Sequence, residues 1–196
     1  IKKYLSKNKS KIISELDIFY LNNLKNKKIT ITGTNGKSTT SKLLHDVLKK
    51  HGKDVRLVGN IGNPLLSEKN IKPQTIFVIE ASSYQIEYSK YFKTDFAIIL
   101  NVSPNHLERH RTFKNYIKSK FKLIKNQKKN SFAFIEKRML FAISGNIRFN
   151  SKILPRPPRV IAVSFAITCA QTWSIDSQIT GFTFPGIIDD PGSFSG

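Results

Sequence analysis

Residues 33–39 read Gly-Thr-Asn-Gly-Lys-Ser-Thr and place two glycines, a lysine and three hydroxyls within one short stretch. The β-branched run Ile29-Thr-Ile-Thr32 leads into it, and Thr40 continues into a helical pattern. Glycine tolerates positive φ and lets the backbone come close to a phosphate. Backbone N–H groups, an ammonium and a hydroxyl gathered at one point suit a polyphosphate with a magnesium ion. The generic phosphate-loop pattern G-x-x-x-x-G-K-[ST] is met except at its first glycine, where this chain has Ile31. Gly33, Thr34, Asn35, Gly36, Lys37, Ser38 and Thr39 are therefore the candidate phosphate-binding residues.

Four further positions carry candidate chemistry. Glu80 follows the apolar run Thr75–Ile79, where an acid commonly meets magnesium directly or through water. Asn60 follows a second short strand pattern, Val55–Val58, within Gly59-Asn-Ile-Gly62; it reads equally as a ligand contact or as a plain turn residue. His106 and His110 are four apart and could share a helix face as metal ligands. Pro104 interrupts that run and no third ligand is near, so separate roles are preferred, with His106 nearest the strand end. Lys120 falls on the apolar stripe of a helix pattern over 112–126, in step with Phe113, Ile117 and Ile124. A lysine on an inner face snorkels, meets an anion or is chemically altered, and the residue pattern leaves all three open.

The elements that would hold these residues alternate strand with helix. Ser14-Glu-Leu-Asp17 opens a helix with Ser14 as N-cap, carrying Ile12, Ile13, Leu16, Phe19 and Tyr20 at helical spacing. A strand is expected over 28–32, then a helix over 37–51 with Leu43, Leu44, Val47 and Leu48 on its apolar face and Gly52 at its end. Strands over 55–58, 75–79, 96–100 and 131–135 follow. The spacing predicts an α/β fold, a mostly parallel sheet flanked by helices on both faces, of the phosphate-loop NTPase kind. In such a sheet Lys37, Asn60, Glu80 and His106 converge at the carboxyl edge.

Composition narrows the function classes. The net charge of +20 invites a polyanion partner, but the lysines are scattered and not clustered, which reads better as a solvated basic surface. Nucleic acid is thus not an expected partner, and no apolar run long enough for a membrane span stands in the sequence. The absence of a signal peptide and a single cysteine, Cys169, point to a cytoplasmic setting and no internal disulfide. The chain starts at Ile1, and residues 151–196 hold three Lys+Arg and three acids, against 33 and 13 in the whole. These features predict an incomplete chain: 1–27 a linker and helix leading in, 28–150 a partial nucleotide-binding domain, and 151–196 an atypical tail, frame-shifted or disordered.

Taken together, Gly33-Thr-Asn-Gly-Lys-Ser-Thr39, Gly59-Asn-Ile-Gly62, Glu80-Ala-Ser-Ser-Tyr-Gln-Ile-Glu87, Asn101-Val-Ser-Pro-Asn-His-Leu-Glu-Arg-His110 and Tyr116-Ile-Lys-Ser-Lys120 resemble the Mur ligase family over about residues 12–135. Among its members the likeness is to those that join D-glutamate to UDP-N-acetylmuramoyl-L-alanine. The resemblance implies ATP, two magnesium ions and a monomer. It implies that Gly33 to Thr39 hold the phosphates, with Lys37 on the β/γ-phosphates, and that Ser38 and Glu80 hold one magnesium. Asn60, Ser82 and His106 would meet the muramoyl-alanine end of the substrate. Lys120 matches the family's carbamylated lysine, which with His106 helps hold the second magnesium. Asn105 stands where the family often has an acid, and the N- and C-terminal domains of the family would lie outside this chain. A folylpolyglutamate-type ligase and a non-enzymatic basic nucleotide-binding module are the alternatives.

Overall fold

The computed structural model describes residue 8, residues 11–136 and the backbone of 159–163. The sequence readings for the rest of residues 1–10, for Cys169 and for the remainder of the tail lie outside the described residues.

The first helix, α1 (Glu15–Asn22), starts as the sequence predicts. Ser14 Oγ accepts from the Asp17 N–H at 3.1 Å and the Asp17 carboxylate accepts from the Ser14 N–H at 3.2 Å, a reciprocal capping box. The same carboxylate accepts from the backbone N–H groups of Lys90, Tyr91 and Phe92 at 2.8–2.9 Å. Asp17 is fully buried. Burial pushes its pKa up, but these hydrogen bonds outweigh burial and hold the carboxyl below its ordinary value. One side chain thus closes a helix end and fixes a distant loop to it.

Six parallel strands follow: β1 (Lys27–Thr32), β2 (Val55–Gly59), β3 (Ile76–Glu80), β4 (Phe96–Ile99), β5 (Phe132–Glu136) and β6 (Arg159–Val163). They lie in the order β2-β3-β1-β4-β5-β6. Crossovers are made by α2 (Lys37–Lys50), a 3₁₀ turn at Leu65–Ser67, α3 (Ser83–Tyr88), the short α4 (Leu107–His110) and α5 (Phe113–Lys125). The α/β parallel architecture expected from the sequence is the one observed. β6 comes from the low-charge stretch beyond residue 150 and pairs with β5 through Phe132↔Arg159 to Glu136↔Val163.

The register sets the site. Gly59 and Ile31 both stand opposite Glu80, and Thr32 stands opposite Ile99. Four strands therefore finish level, and their next residues share one edge of the sheet. On one face Leu16, Phe19, Phe77, Ile79, Ile86, Ile99 and Leu123 form the main core. Phe19 meets Phe77 edge-on at 4.8 Å between ring centres. The other face packs against α2 through Leu44 and Leu48. Leu43, expected on that apolar face, is exposed instead, because one residue's rotation carries it past the narrow buried line Ser41–Leu44–Leu48.

Lys28 is a second buried lysine, at the opposite end of β1 from the glycine turn. Its Nζ donates to the carbonyls of Asn23 and, at 2.6 Å, Asn26, and sits 5.3 Å from the Tyr20 ring centre. Burial pushes its pKa down to about 8, against an opposing pull from Asp95. It satisfies carbonyls of the connector between α1 and β1.

Candidate functional site

The turn after β1 is shaped by Gly36, whose φ of 78° lies in the left-handed region, so that α2 starts abruptly behind it with no side-chain cap. By position, the first-turn N–H groups of α2 have no intrahelical acceptor, the arrangement that draws anions. Lys37 folds back, its Nζ donating to the Thr34 carbonyl at 2.9 Å. Ser38 and Thr39 are exposed on the first turn.

Glu80 ends β3, and only 4 % of it reaches solvent. Its Oε2 is buried with no hydrogen-bond partner. A buried carboxylate oxygen left unpaired is costly unless something positive meets it. The Glu80 carbonyl accepts the Asn60 N–H at 3.0 Å, which seats the exposed Asn60 beside it. Gly59 makes this contact fit: its φ is 108°, and a Cβ there would come within 2.3 Å of the Glu80 carbonyl oxygen.

Lys120 is 1 % exposed, on the inward stripe where the helix pattern placed it. Its Nζ donates to the Gly33 carbonyl at 2.9 Å and to Thr32 Oγ1 at 3.3 Å, and lies 4.7 Å from the Tyr116 ring centre. Burial, and next the Lys37 charge, push its pKa down to about 7. Both effects favour the neutral amine over the ammonium at this position. The residue does not snorkel: its ammonium end is enclosed at the glycine turn.

The two histidines separate. His106, at φ 54°, is the N-cap of α4, and its own N–H donates to Asn105 Oδ1 at 2.8 Å. Its side chain is 44 % exposed, with Nδ1 3.6 Å from Glu108 Oε1 and the ring 5.1 Å from Tyr84 and 6.4 Å from Tyr116. His110 is buried: Nε2 pairs with Ser83 Oγ at 3.0 Å, Nδ1 faces Glu87 Oε2 at 3.7 Å, and the ring stacks on Tyr84. Burial, opposed by Glu87, holds its pKa below the ordinary value. Among the described residues no group of three His, Cys, Asp or Glu side chains could hold a metal together. Magnesium does not require one, since it binds through one or two carboxylates plus hydroxyl, water and phosphate oxygens. The unpaired Glu80 oxygen and the exposed Ser38 hydroxyl fit that donor set.

Ser82 is the N-cap of α3. Its Oγ accepts from the Gln85 N–H at 3.2 Å and meets Gln85 Oε1 at 3.1 Å, so its hydroxyl already has a role in the capping box. Three residues that sequence reasoning did not single out belong to the same edge. Asn101 and Ser103 bind the loop at Thr34 and Asn35. Tyr116 touches Thr34 Oγ1 at 3.2 Å and lies against both His106 and Lys120. The signal for Tyr116 was its place on the inward stripe of α5; Asn101 stood only at a strand end.

Comparison with known proteins agrees with this geometry. The sequence profile described as Mur ligase middle domain matches residues 31–153. A UDP-N-acetylmuramoylalanine–D-glutamate ligase of Caldicellulosiruptor bescii is 43% identical over 116 residues, 59% of this chain and 25% of that protein. Proteins of the same name from Rickettsia prowazekii and Lachnoclostridium phytofermentans are each 40% identical, over 63% and 69% of this chain and 27% and 30% of their own length. The chain thus spans between a quarter and a third of these relatives. The fold is also that of MurF ligase from Thermotoga maritima in complex with ADP, at a TM-score of 0.54, 21% identity and coverage of 75% of this chain and 34% of that one. The profile match over more than half of the chain places it in the Mur ligase family.

Proposed function

We propose that this chain is the ATP-binding part, residues 28–150, of a cytoplasmic ligase that joins D-glutamate to UDP-N-acetylmuramoyl-L-alanine during peptidoglycan precursor synthesis. The observation that carries the reading is that Lys37 and Lys120 both bond carbonyls of one glycine turn, while Glu80, with its unpaired buried oxygen, stands opposite Ile31 on the strand that enters that turn. The relatives' shared name supplies the substrates.

In this reading the first-turn N–H groups of α2 and Lys37 grip the phosphates of ATP. Ser38 and Glu80 would hold a magnesium ion, which would supply charge neutralisation for the transferred phosphoryl group. Lys37 moves from the Thr34 carbonyl to the β/γ-phosphates when they arrive. Asn60, Ser82 and His106 orient the alanine carboxylate for in-line attack on the γ-phosphorus, which forms an acyl phosphate and releases ADP. The D-glutamate amine then attacks the acyl carbon; a tetrahedral intermediate forms, phosphate leaves and the amine proton is lost to solvent. No protein nucleophile is needed. As a neutral amine Lys120 would add carbon dioxide through Nζ, losing one N–H proton to solvent, and the resulting carbamate and His106 would be the residues that hold a second magnesium.

The test is D-glutamate-dependent phosphate release from ATP with UDP-N-acetylmuramoyl-L-alanine, measured on the full-length parent and on this chain. The parent turns over only with D-glutamate; the isolated chain, a monomer, shows no turnover. Turnover of the parent with a different amino acid and not D-glutamate would replace this acceptor assignment.

A further inference from the structure

We infer that Asn101 is a positioning residue that sets the shape of the phosphate loop and ties it to the arm carrying His106. The inference rests on the nucleotide-binding reading above. Its geometry is specific to a carboxamide. Asn101 Oδ1 accepts from the N–H groups of Thr34 at 3.0 Å and Asn35 at 2.9 Å, while Nδ2 donates to the Asn35 carbonyl at 3.1 Å. The side chain therefore reads the Asn35 peptide at two points, as a neighbouring strand would, using its acceptor and its donor at once. The Asn101 carbonyl also accepts the Thr34 N–H at 3.0 Å, and the Leu100 N–H donates to Thr32 at 3.0 Å, so the pairing of β4 with β1 continues into the loop. Two residues on, the Ser103 N–H donates to Thr34 Oγ1 at 3.0 Å.

Two consequences follow. The N–H groups of Thr34 and Asn35 are already engaged, so the loop presents a phosphate with Lys37 and the N–H groups from Gly36 onward and not with its whole length. The anion is then held at the Gly36–Thr39 end, next to the Lys37 side chain that closes on the Thr34 carbonyl. The segment that makes these bonds, residues 101–103, runs directly into His106. Any shift of the phosphate loop is passed through Asn101 to the residue proposed to face the carboxylate substrate.

Neither aspartate nor alanine keeps both contacts. Aspartate keeps the acceptor, loses the donor to Asn35 and adds a negative charge beside the phosphates. Alanine loses both. The experiment compares the full 196-residue chain with Asn101→Ala and Asn101→Asp, reading MgADP affinity by calorimetry, thermal unfolding, and amide hydrogen exchange at Thr34 and Asn35. Loss of two or three such bonds weakens MgADP binding by about tenfold in Asn101→Ala, and by more in Asn101→Asp. Thr34 and Asn35 exchange slowly in the wild type and quickly in both variants, while the β1 amides stay protected. Unchanged MgADP affinity in a folded variant overturns the inference, as does rapid exchange of Thr34 and Asn35 in the wild type. Failure of both variants to fold would make Asn101 a stability residue and overturn it too. If the wild-type chain binds no MgADP, the nucleotide reading fails, and the exchange measurement still decides whether Asn101 holds the loop.

Discussion

Lys120 Nζ donates to the carbonyl of Gly33 at 2.9 Å across a sequence separation of 87 residues. This bond joins the inward face of α5 to the turn after β1, and it keeps a lysine buried beside a second cation, Lys37. Its pKa of about 7 lies far below the ordinary 10.5. Between those values the unfolded chain carries a proton that the folded chain gives up, so Lys120 makes stability rise with pH across that window. Lys28, lowered to about 8, adds the same sign above that pH. Denaturant unfolding of wild type and Lys120→Met at several pH values checks this. The stability of wild type relative to the variant should climb from about pH 7 toward pH 10.5. A flat difference would contradict the buried-amine description.

Glu80→Gln keeps the shape of the side chain but removes the charge at the unpaired oxygen. Stability without metal should hold or rise, because a buried unpaired charge is removed and no hydrogen bond is lost. The dependence of nucleotide affinity on magnesium should largely disappear. A magnesium titration at fixed ADP measures it, and an unchanged magnesium response would remove Glu80 from the metal site.

Asp17→Ala strips the acceptor from four backbone N–H groups, those of Ser14, Lys90, Tyr91 and Phe92. The loss should be about 3 kcal/mol at neutral pH, since bonds to a buried charge exceed neutral ones. The pKa of Asp17 is lowered on folding, so its contribution is present above the unfolded value and lost as pH falls through the folded one. The variant should therefore lose less additional stability in acid than the wild type, measured by urea midpoints at pH 2 to 7.

Gly59→Ala and Gly52→Ala form a matched pair. Both glycines have positive φ, at 108° and 70°, but only at Gly59 would the Cβ strike the Glu80 carbonyl, whereas nothing lies within 4 Å at Gly52. Gly52→Ala should cost about 1 kcal/mol and Gly59→Ala roughly 3 kcal/mol or more, with disturbed nucleotide binding in the second alone. Thermal melts of the two variants separate the close approach from simple backbone strain.

Much of the fold was legible because its signals are local. A capping box at Ser14, apolar runs ending in Gly33, Glu80 and Asn101, and the stripe of α5 each stand within a few residues. Lys120 was legible for the same reason, as a charge in step with Ile117 and Ile124. What escaped were relationships between distant segments. The Asn101 carboxamide meets Asn35 only because β4 lies beside β1 in the sheet. His110 looked like a candidate ligand, yet it is packed between Ser83 and Glu87 on a helix far from it in sequence. Leu43 failed as a core residue because the contact with the sheet is narrower than the apolar stretch of the helix.

A magnesium-nucleotide site built on Lys37 at the turn before α2 is checked by calorimetry of MgATP binding to this chain and to Lys37→Ala. Binding to the wild type should be saturable and magnesium-dependent, and should be lost in a variant that still melts cooperatively. Equal binding by the two chains, or none by the wild type under conditions where it is folded, would contradict it.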